Sequence, residues 1–246
     1  MDSTYLALIL FFIVAVLYSS VGHAGASGYL AIMALLSFAP DTIKPISLTL
    51  NIVVAAIASF NFIRKGFFDQ RLFLIVVSAS IPFSFVGGYM QLAPELFKLI
   101  AGGFLILSAG MIVFKTSLNS LHKDVNSSMP MLHGIIIGSV IGLFSGLIGV
   151  GGGIFLSPII LLMGWASVKQ TSGIAALFIL LNSISALSGH IAAYRYIDTD
   201  IYLWVIAVVL GGTIGSKLGT SRIDNRIILS LLVIVLLTAG VKFLFF

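Results

Sequence analysis

Two glycine-rich stretches contain the residues whose types and spacing could bind a ligand. The first is Gly22-His23-Ala24-Gly25-Ala26-Ser27-Gly28, and the second is Gly149-Val150-Gly151-Gly152-Gly153. Glycine tolerates tight backbone turns and lets a ligand approach the main chain closely. A helix that begins after such a stretch directs free N–H groups and its positive dipole end at the same point, which favours an anion. We therefore predict anion contacts at Gly22, Gly25, Gly28, Gly149, Gly151, Gly152 and Gly153.

Five polar side chains are candidates to line the same site: His23, Ser27, Asn51, Ser172 and Asn182. His23 could hydrogen-bond an anion, could carry a proton together with it, or could bond a neighbouring carbonyl. Asn51 and Asn182 lie at equivalent positions in the spans that follow the two stretches, and each could donate to a ligand or hold the broken backbone. Ser172 is a weaker candidate, as is Ser47, because a membrane serine usually bonds a carbonyl of its own helix.

Several other residues are expected at the membrane interface rather than in the site. Lys44 and Lys169 begin the spans that follow the two stretches, and extension toward water is favoured over drawing anions to the site. His190 lies one turn before Arg195 and is predicted near the interface. Trp165 and Trp204 stand at segment ends, where they are predicted to be interfacial anchors.

The acidic residues are informative because none lies inside an apolar segment. All eight stand at segment ends or in loops: Asp2, Asp41, Asp69, Glu95, Asp124, Asp198, Asp200 and Asp224. A cation site or a carboxylate proton relay therefore has no candidate, and an anionic substrate fits better. The chain has no cysteine, which excludes disulfides and thiolate metal sites. We expect neither a metal nor a cofactor.

Composition indicates that the chain resides in a bilayer. Of the 246 residues, 59% are hydrophobic and only 9% are charged, against about 45–50% and about 25% in an ordinary soluble domain. The net charge of +5 comes from Lys and Arg scattered between apolar runs, as in loops that set membrane orientation. A nucleic-acid partner is therefore not expected. The number of subunits is left open.

Eight apolar segments can be distinguished, near 5–38, 43–63, 72–90, 96–114, 131–164, 168–194, 201–216 and 227–245. The first and the fifth exceed thirty residues, or about 50 Å as one helix, whereas the hydrocarbon core is about 30 Å thick. Each of these two contains one of the glycine stretches. Both segments are therefore predicted to be broken at the glycines, with the two breaks buried together near the midplane.

The two halves of the chain match along their length. Asn51 aligns with Asn182, Arg64 with Arg195, Gly87-Gly88 with Gly211-Gly212, and Ala109-Gly110 with Ala239-Gly240. We predict one all-α membrane domain over residues 1–246, built from two homologous repeats of four segments, 1–119 and 127–246. Duplicated halves of this size are typical of transporters.

The distribution of Lys and Arg decides between two topologies. If all eight segments cross, the faces carry seven and six basic residues, which orients nothing. If both broken segments are re-entrant hairpins, nine residues share one face (Arg64, Lys65, Arg71, Lys115, Lys123, Lys169, Lys217, Arg222 and Arg226), and four share the other (Lys44, Lys98, Arg195 and Lys242). The second count satisfies the positive-inside rule. It favours six full spans, two hairpins and an inverted repeat, although residues 131–148 are long enough to cross alone.

The glycine stretches resemble those of the sulfite exporter TauE/SafE family of membrane permeases. The second copy, Gly149 to Pro158, resembles that family's Gly-x-Gly-Gly-Gly motif with a following Pro, and Lys169-Gln170-Thr171-Ser172 opens the next span. The first copy differs at His23, Ala24 and Ala26, has Ser27-Gly28 inserted, and has Met33 in place of the Pro. The resemblance implies transport of sulfite, sulfoacetate or other organosulfonates across the cytoplasmic (inner) membrane of a bacterium.

Three classes of function were compared. A secondary transporter that moves a small anion between the two halves, with or without coupled protons, is favoured. A passive anion channel with the same site is the alternative. An intramembrane serine hydrolase using Ser145 and His190 is disfavoured, because Gly142 lies one residue too far from Ser145 for a Gly-x-Ser-Gly motif. We therefore expect no catalytic residues.

Overall fold

The computed structural model describes residues 3–20, 22–118, 129–194, 201–219 and 226–245. Within these ranges the chain forms ten α-helices and no strand, which confirms the all-helical prediction. The helices are α1 (Ser3–Ser20), α2 (Ala26–Leu35), α3 (Pro40–Arg64), α4 (Gln70–Tyr89), α5 (Pro94–Leu118), α6 (Met131–Ile148), α7 (Gly153–Leu162), α8 (Val168–Tyr194), α9 (Tyr202–Gly219) and α10 (Arg226–Phe245).

Both over-long segments are broken at the predicted glycines. The first becomes α1 and α2, and the second becomes α6 and α7. The breaks contain glycines with backbone angles that other L residues rarely adopt, such as φ +103° at Gly25 and +79° at Gly152. These two glycines are the N-caps of α2 and α7.

Five helices of the described residues are long and apolar enough to cross a membrane: α3, α4, α5, α6 and α8. The shorter apolar helices include α2 and α7, each of ten residues, or about 15 Å. They reach about halfway through a hydrocarbon core. α6 is one of the five, so it is long enough either to cross the membrane or to form a hairpin with α7. The re-entrant topology therefore stays a prediction.

The helices of the two halves pack mainly on each other. α4 lies against α6 and α8, α1 against α9, and α3 against both α8 and α9. α10 packs on α5 and α2, while α7 packs on α8 and α5. The buried core therefore joins residues far apart in the chain. In contrast, many apolar side chains on the outer surface are exposed, as lipid contact requires.

The α4–α6 contact depends on glycines spaced by four residues along α6, at positions 134, 138, 142 and 146. A Cβ at Gly142 would lie 2.7 Å from the Cα of Ser80, and one at Gly146 would lie 2.8 Å from the main-chain N of Gly88. Small residues at such a contact let two membrane helices approach at the level of their backbones. These four glycines serve packing between α4 and α6.

Gly142→Leu is expected to destabilise the fold by about 3 kcal/mol, because the side chain meets the backbone of α4, which cannot move aside. Thermal unfolding in detergent would show a lower midpoint. Gly103→Leu is the matched control, because Gly103 is an exposed helical glycine with nothing within 4 Å of an added Cβ. Equal unfolding midpoints for the two variants would contradict the assignment of Gly142 to a tight helix contact.

Both tryptophans were predicted to be interfacial anchors, and this prediction is wrong. Trp165 and Trp204 are only 6% and 7% exposed. The ring of Trp204 packs edge-on against Phe11, with the centroids 5.4 Å apart, and against Phe38 at 5.7 Å. Aromatic rings at a segment end can thus be covered by a neighbouring helix, which the sequence of one segment does not reveal.

The acidic residues within the described ranges lie at helix starts, as predicted. Asp41 and Glu95 stand in the first turns of α3 and α5, and Asp69 caps the N-terminus of α4 by accepting a hydrogen bond from the Leu72 N–H. The other five acidic residues lie outside the described ranges. Lys123, Arg195 and Arg222, which enter the charge count of the predicted topology, also lie outside them.

Candidate functional site

All twelve candidate site residues fall within the described ranges, and all are buried. The first break, residues 22–25, ends at the N-terminus of α2, and the second, residues 149–152, ends at the N-terminus of α7. Each break contacts the long helix that follows the other break. A Cβ on Gly22 would lie 2.8 Å from the Cα of Ser172 in α8, and one on Gly149 would lie 3.2 Å from the Cα of Lys44 in α3.

Two side chains connect the breaks directly. The hydroxyl of Ser47 lies 2.9 Å from the Gly149 carbonyl oxygen and 3.3 Å from that of Ala26, so it contacts both broken segments. Ser157 Oγ lies 3.2 Å from His23 Nε2 and donates to the Gly153 carbonyl at 3.0 Å. Since the only hydroxyl proton of Ser157 is used for Gly153, His23 Nε2 is the donor to Ser157. The two breaks therefore form one buried polar cluster.

The N-termini of α2 and α7 are the chemical feature of this cluster. Neither N-cap residue, Gly25 or Gly152, offers a side-chain hydrogen bond. The backbone bonds at the two starts are from the Tyr29 N–H to the Gly25 carbonyl and from the Phe155 and Leu156 N–H groups to the Gly152 carbonyl. The first N–H groups of each helix, which precede these residues, have no carbonyl partner within the helix, as is usual at a helix start. A buried helix start without a side-chain cap calls for another partner.

The two asparagines differ, although the sequence treats them as equivalent. Asn51 donates from Nδ2 to Ser183 Oγ at 2.9 Å and lies against Gly151, where Ser183 Oγ would be 3.0 Å from an added Cβ. Asn182 donates to the Phe178 carbonyl one turn earlier in its own helix. In both, the buried Oδ1 atom has no hydrogen-bond partner among the described residues. Asn51 thus has Gly151 of the second break as a close neighbour.

The remaining candidates divide into contacts within and between segments. Ser27 and Tyr18 share a hydrogen bond of 2.8 Å across the first break, and an added Cβ at Gly28 would meet Val14 at 2.6 Å. At Gly25 the nearest atoms to an added Cβ belong to Tyr29 and Val14. Ser172 donates to the Val168 carbonyl of its own helix at 3.1 Å, the arrangement expected of a membrane serine. The first break is thus lined mainly by aromatic and aliphatic side chains.

The second break is tightly packed on the side of α6 and α8. A Cβ at Gly152 would lie 2.6 Å from Ile141 and 3.1 Å from Phe178, and one at Gly153 would lie 2.6 Å from Cγ1 of Ile179. Ser145 also lines this region, but its Oγ has no hydrogen-bond partner among the described residues. A Ser145–His190 hydrogen bond, which a hydrolase would require, is therefore not formed.

Ser157 and Ser183 were not predicted to be site residues, and Ser47 was predicted only as a weak candidate for the site. Ser157 stands before Pro158 in the second glycine motif, and Ser183 directly follows Asn182. This closeness in sequence to candidate residues was the feature that could have indicated a place in the site. Lys44 and His190 were predicted near the interface, yet they are 6% and 4% exposed. Lys169, by contrast, is exposed, with its ammonium 4.9 Å from the centroid of the Phe67 ring.

A bundle of apolar helices with buried backbone breaks is the architecture of an integral membrane protein of the transporter class. The sequence profile of the family described as Sulfite exporter TauE/SafE matches residues 7–243. The chain belongs to this family of membrane transporters.

Chains of similar sequence carry corresponding names. The chain is 36% identical to Probable membrane transporter protein y4hK of Sinorhizobium fredii over 99% of its length and 100% of the relative. It is 23% identical to Probable membrane transporter protein YdhB of Bacillus subtilis, over 98% of this chain and 100% of that one. No solved structure gives a significant match. Membership of the family explains the transporter class and leaves the substrate to chemical reasoning.

Proposed function

We propose that the chain is a secondary transporter of small anions, with sulfite and organosulfonates as its substrate class. The carrying observation is the pair of buried helix starts at Gly25 and Gly152, neither of which has a side-chain cap. Two such starts joined into one cluster offer main-chain donors and positive dipole ends to a negative group. The binding residues are the twelve predicted at the outset, with Ser47, Ser157 and Ser183 added.

The shape of the site supports a small substrate. In the second break, Ile141 and Ile179 already approach the positions that a Cβ would occupy, so only a compact group can come close to the main chain. A sulfite or sulfonate head group presents three oxygens on one small centre. It can accept several N–H bonds at once, and hydrogen bonds to charged groups are about twice as strong as neutral ones.

The packing of the helices supports the duplicated arrangement, to which the proposal adds the inversion of the second repeat. If α1 to α5 are exchanged in order with α6 to α10, one observed pair of packed helices becomes another. The pair α1–α9 becomes α6–α4, and the pair α2–α10 becomes α7–α5. Gly88 approaches Ala186 of α8, just as Gly212 approaches Val54 of α3. In this arrangement repeats 1–119 and 127–246 have opposite orientations, and α1–α2 and α6–α7 are hairpins. Rocking of one half against the other would expose the cluster alternately to the two faces.

Counterflow distinguishes a carrier from the alternative, a passive anion channel. Proteoliposomes loaded with unlabelled sulfoacetate and diluted into trace labelled sulfoacetate should accumulate label transiently above equilibrium. The reason is that the unlabelled anion inside competes with the label for the outward step of the carrier, so labelled anion enters faster than it leaves. A channel would equilibrate the label without an overshoot, and that result would replace the carrier with the channel.

Proton coupling through His23 is a further part of this proposal. His23→Gln should retain the donor to Ser157 but cannot gain a proton. Wild-type flux is expected to rise as pH falls, because a protonated imidazole adds positive charge beside the anion. The variant should retain flux at neutral pH and lose this rise. His133→Gln, at an exposed histidine of α6, is the control. A pH profile unchanged by His23→Gln would remove His23 from the coupling.

A further inference from the structure

A cavity of about 190 Å³ lies outside the cluster of the two breaks. It is formed by the start of α3, the segment joining α4 to α5, the end of α6 and the last part of α8. Its wall includes Asp41, Lys44, Gln91, Leu147 and His190. Leu147 stands two residues before Gly149, and Gly149 itself lies against Lys44. The inner end of the cavity therefore adjoins the second break.

Lys44 is the unusual member of this wall. Its side chain is buried, and its ammonium donates to the carbonyl oxygens of Gly88 at 2.8 Å, Gly87 at 3.1 Å and Met90 at 3.4 Å. All three partners are neutral groups at the C-terminal end of α4. They orient the ammonium and bring the negative end of the helix dipole toward it, but none supplies a full negative charge.

A charged side chain held within a membrane protein is costly unless it is paired or has a function. At the matched position of the second repeat, Lys169 is exposed and rests on the ring of Phe67, so burial of the lysine is particular to the first repeat. His190 adds a second nitrogen base to the wall. Asp41 is the acidic member, and it is exposed at the outer part of the cavity. The buried end of the cavity is therefore the electropositive one.

We propose that this Lys44 cavity is a second anion site, which receives a small sulfonate before it reaches the glycine breaks. The order in which the anion visits the two sites rests on the proposed function. The binding of an anion in the cavity does not depend on that function. Lys44 supplies the charge that selects anions, while its carbonyl partners hold it in place. On the proposed topology the cavity opens at the face that carries the fewer basic residues.

The absence of cysteine from the natural sequence allows a direct test. Gln91 is exposed and lines the cavity, so Gln91→Cys places one thiol in its wall. The rate of modification by sulfonatoethyl methanethiosulfonate, an anion, is compared with that of the trimethylammonioethyl reagent, a cation. Each rate is divided by the rate at which the same reagent modifies free cysteine, so that the reagents are compared at equal intrinsic reactivity. We expect the anion to be favoured about tenfold, since one nearby charge acts oppositely on the two reagents.

Lys44→Gln should abolish this preference, and Lys169→Gln, the matched control, should leave it unchanged. If Lys44→Gln fails to fold, protection decides the matter in the Lys44 protein: methanesulfonate should slow modification by both reagents, whereas choline should not. Equal normalised rates, a preference for the cation, or lack of protection by methanesulfonate would overturn the proposal. Because labelling does not require transport, a protein without flux but with the anion preference would contradict the proposed function alone.

Discussion

Gly152→Ala is expected to reduce anion flux at least about tenfold. The added methyl group would lie 2.6 Å from Ile141 and 3.1 Å from Phe178, at the N-cap of α7. It would displace the helix start whose N–H groups are proposed to hold the anion, and losing one hydrogen bond to a charged group costs about 1.5–3 kcal/mol. Uptake of labelled sulfite into proteoliposomes, normalised to reconstituted protein, measures the effect.

The control for this variant must place alanine at another glycine with positive φ, where the added methyl group does not enter the site. Gly66→Ala does so, because Gly66 has φ +76° and nothing lies within 4 Å of an added Cβ. A left-handed conformation costs an L residue about 1–2 kcal/mol in both variants, and Gly152→Ala adds the close contacts with Ile141 and Phe178. Only Gly152→Ala should lose flux. Equal flux in the two variants would mean that the second break is a packing feature without a part in transport.

Asn51→Leu should reduce flux about tenfold, and Asn182→Leu should have a much smaller effect. The Asn51 amide lies beside Gly151 and bonds Ser183 on the other half, whereas Asn182 bonds a carbonyl of its own helix. Replacing Asn51 removes a polar group next to the second break, where it could bond the anion or the glycine backbone. Leucine has a similar volume, so packing is largely retained.

The same uptake assay compares these two variants, with thermal unfolding as a check on their stability. Equal losses of flux would show that the two asparagines act alike, as their positions in the repeats suggest, and that the contact with Gly151 is incidental. Loss in Asn182→Leu alone would shift the site toward the first break.

Much of the architecture was predictable from segment length. Two apolar runs too long for one crossing, each interrupted by several glycines, predicted a break in each run and a new helix beginning at the glycines. The structure begins these helices at Ala26 and Gly153. The low helix propensity of glycine and its tolerance of positive φ act locally, so a single sequence reveals them.

The environments of individual polar side chains were not predictable in the same way. Lys44 and Lys169 open equivalent spans, yet one is buried against carbonyls of α4 and the other is exposed. The difference depends on Gly87 and Gly88, more than forty residues away in the chain, whose carbonyls meet Lys44 only in the folded bundle. Trp204 illustrates the same point, because Phe11 and Phe38 cover a ring that was predicted at the interface. The two asparagines are both buried and differ in their hydrogen-bond partners.

The most direct test of the account is the uptake of labelled sulfite, sulfoacetate and acetate by proteoliposomes that contain the purified chain. We expect saturable flux of sulfite or sulfoacetate, with acetate transported far more slowly, because a compact group with three oxygens fits the paired helix starts best. Non-saturating flux of all three anions at equal rates, or no flux of either sulfur anion, would contradict the account.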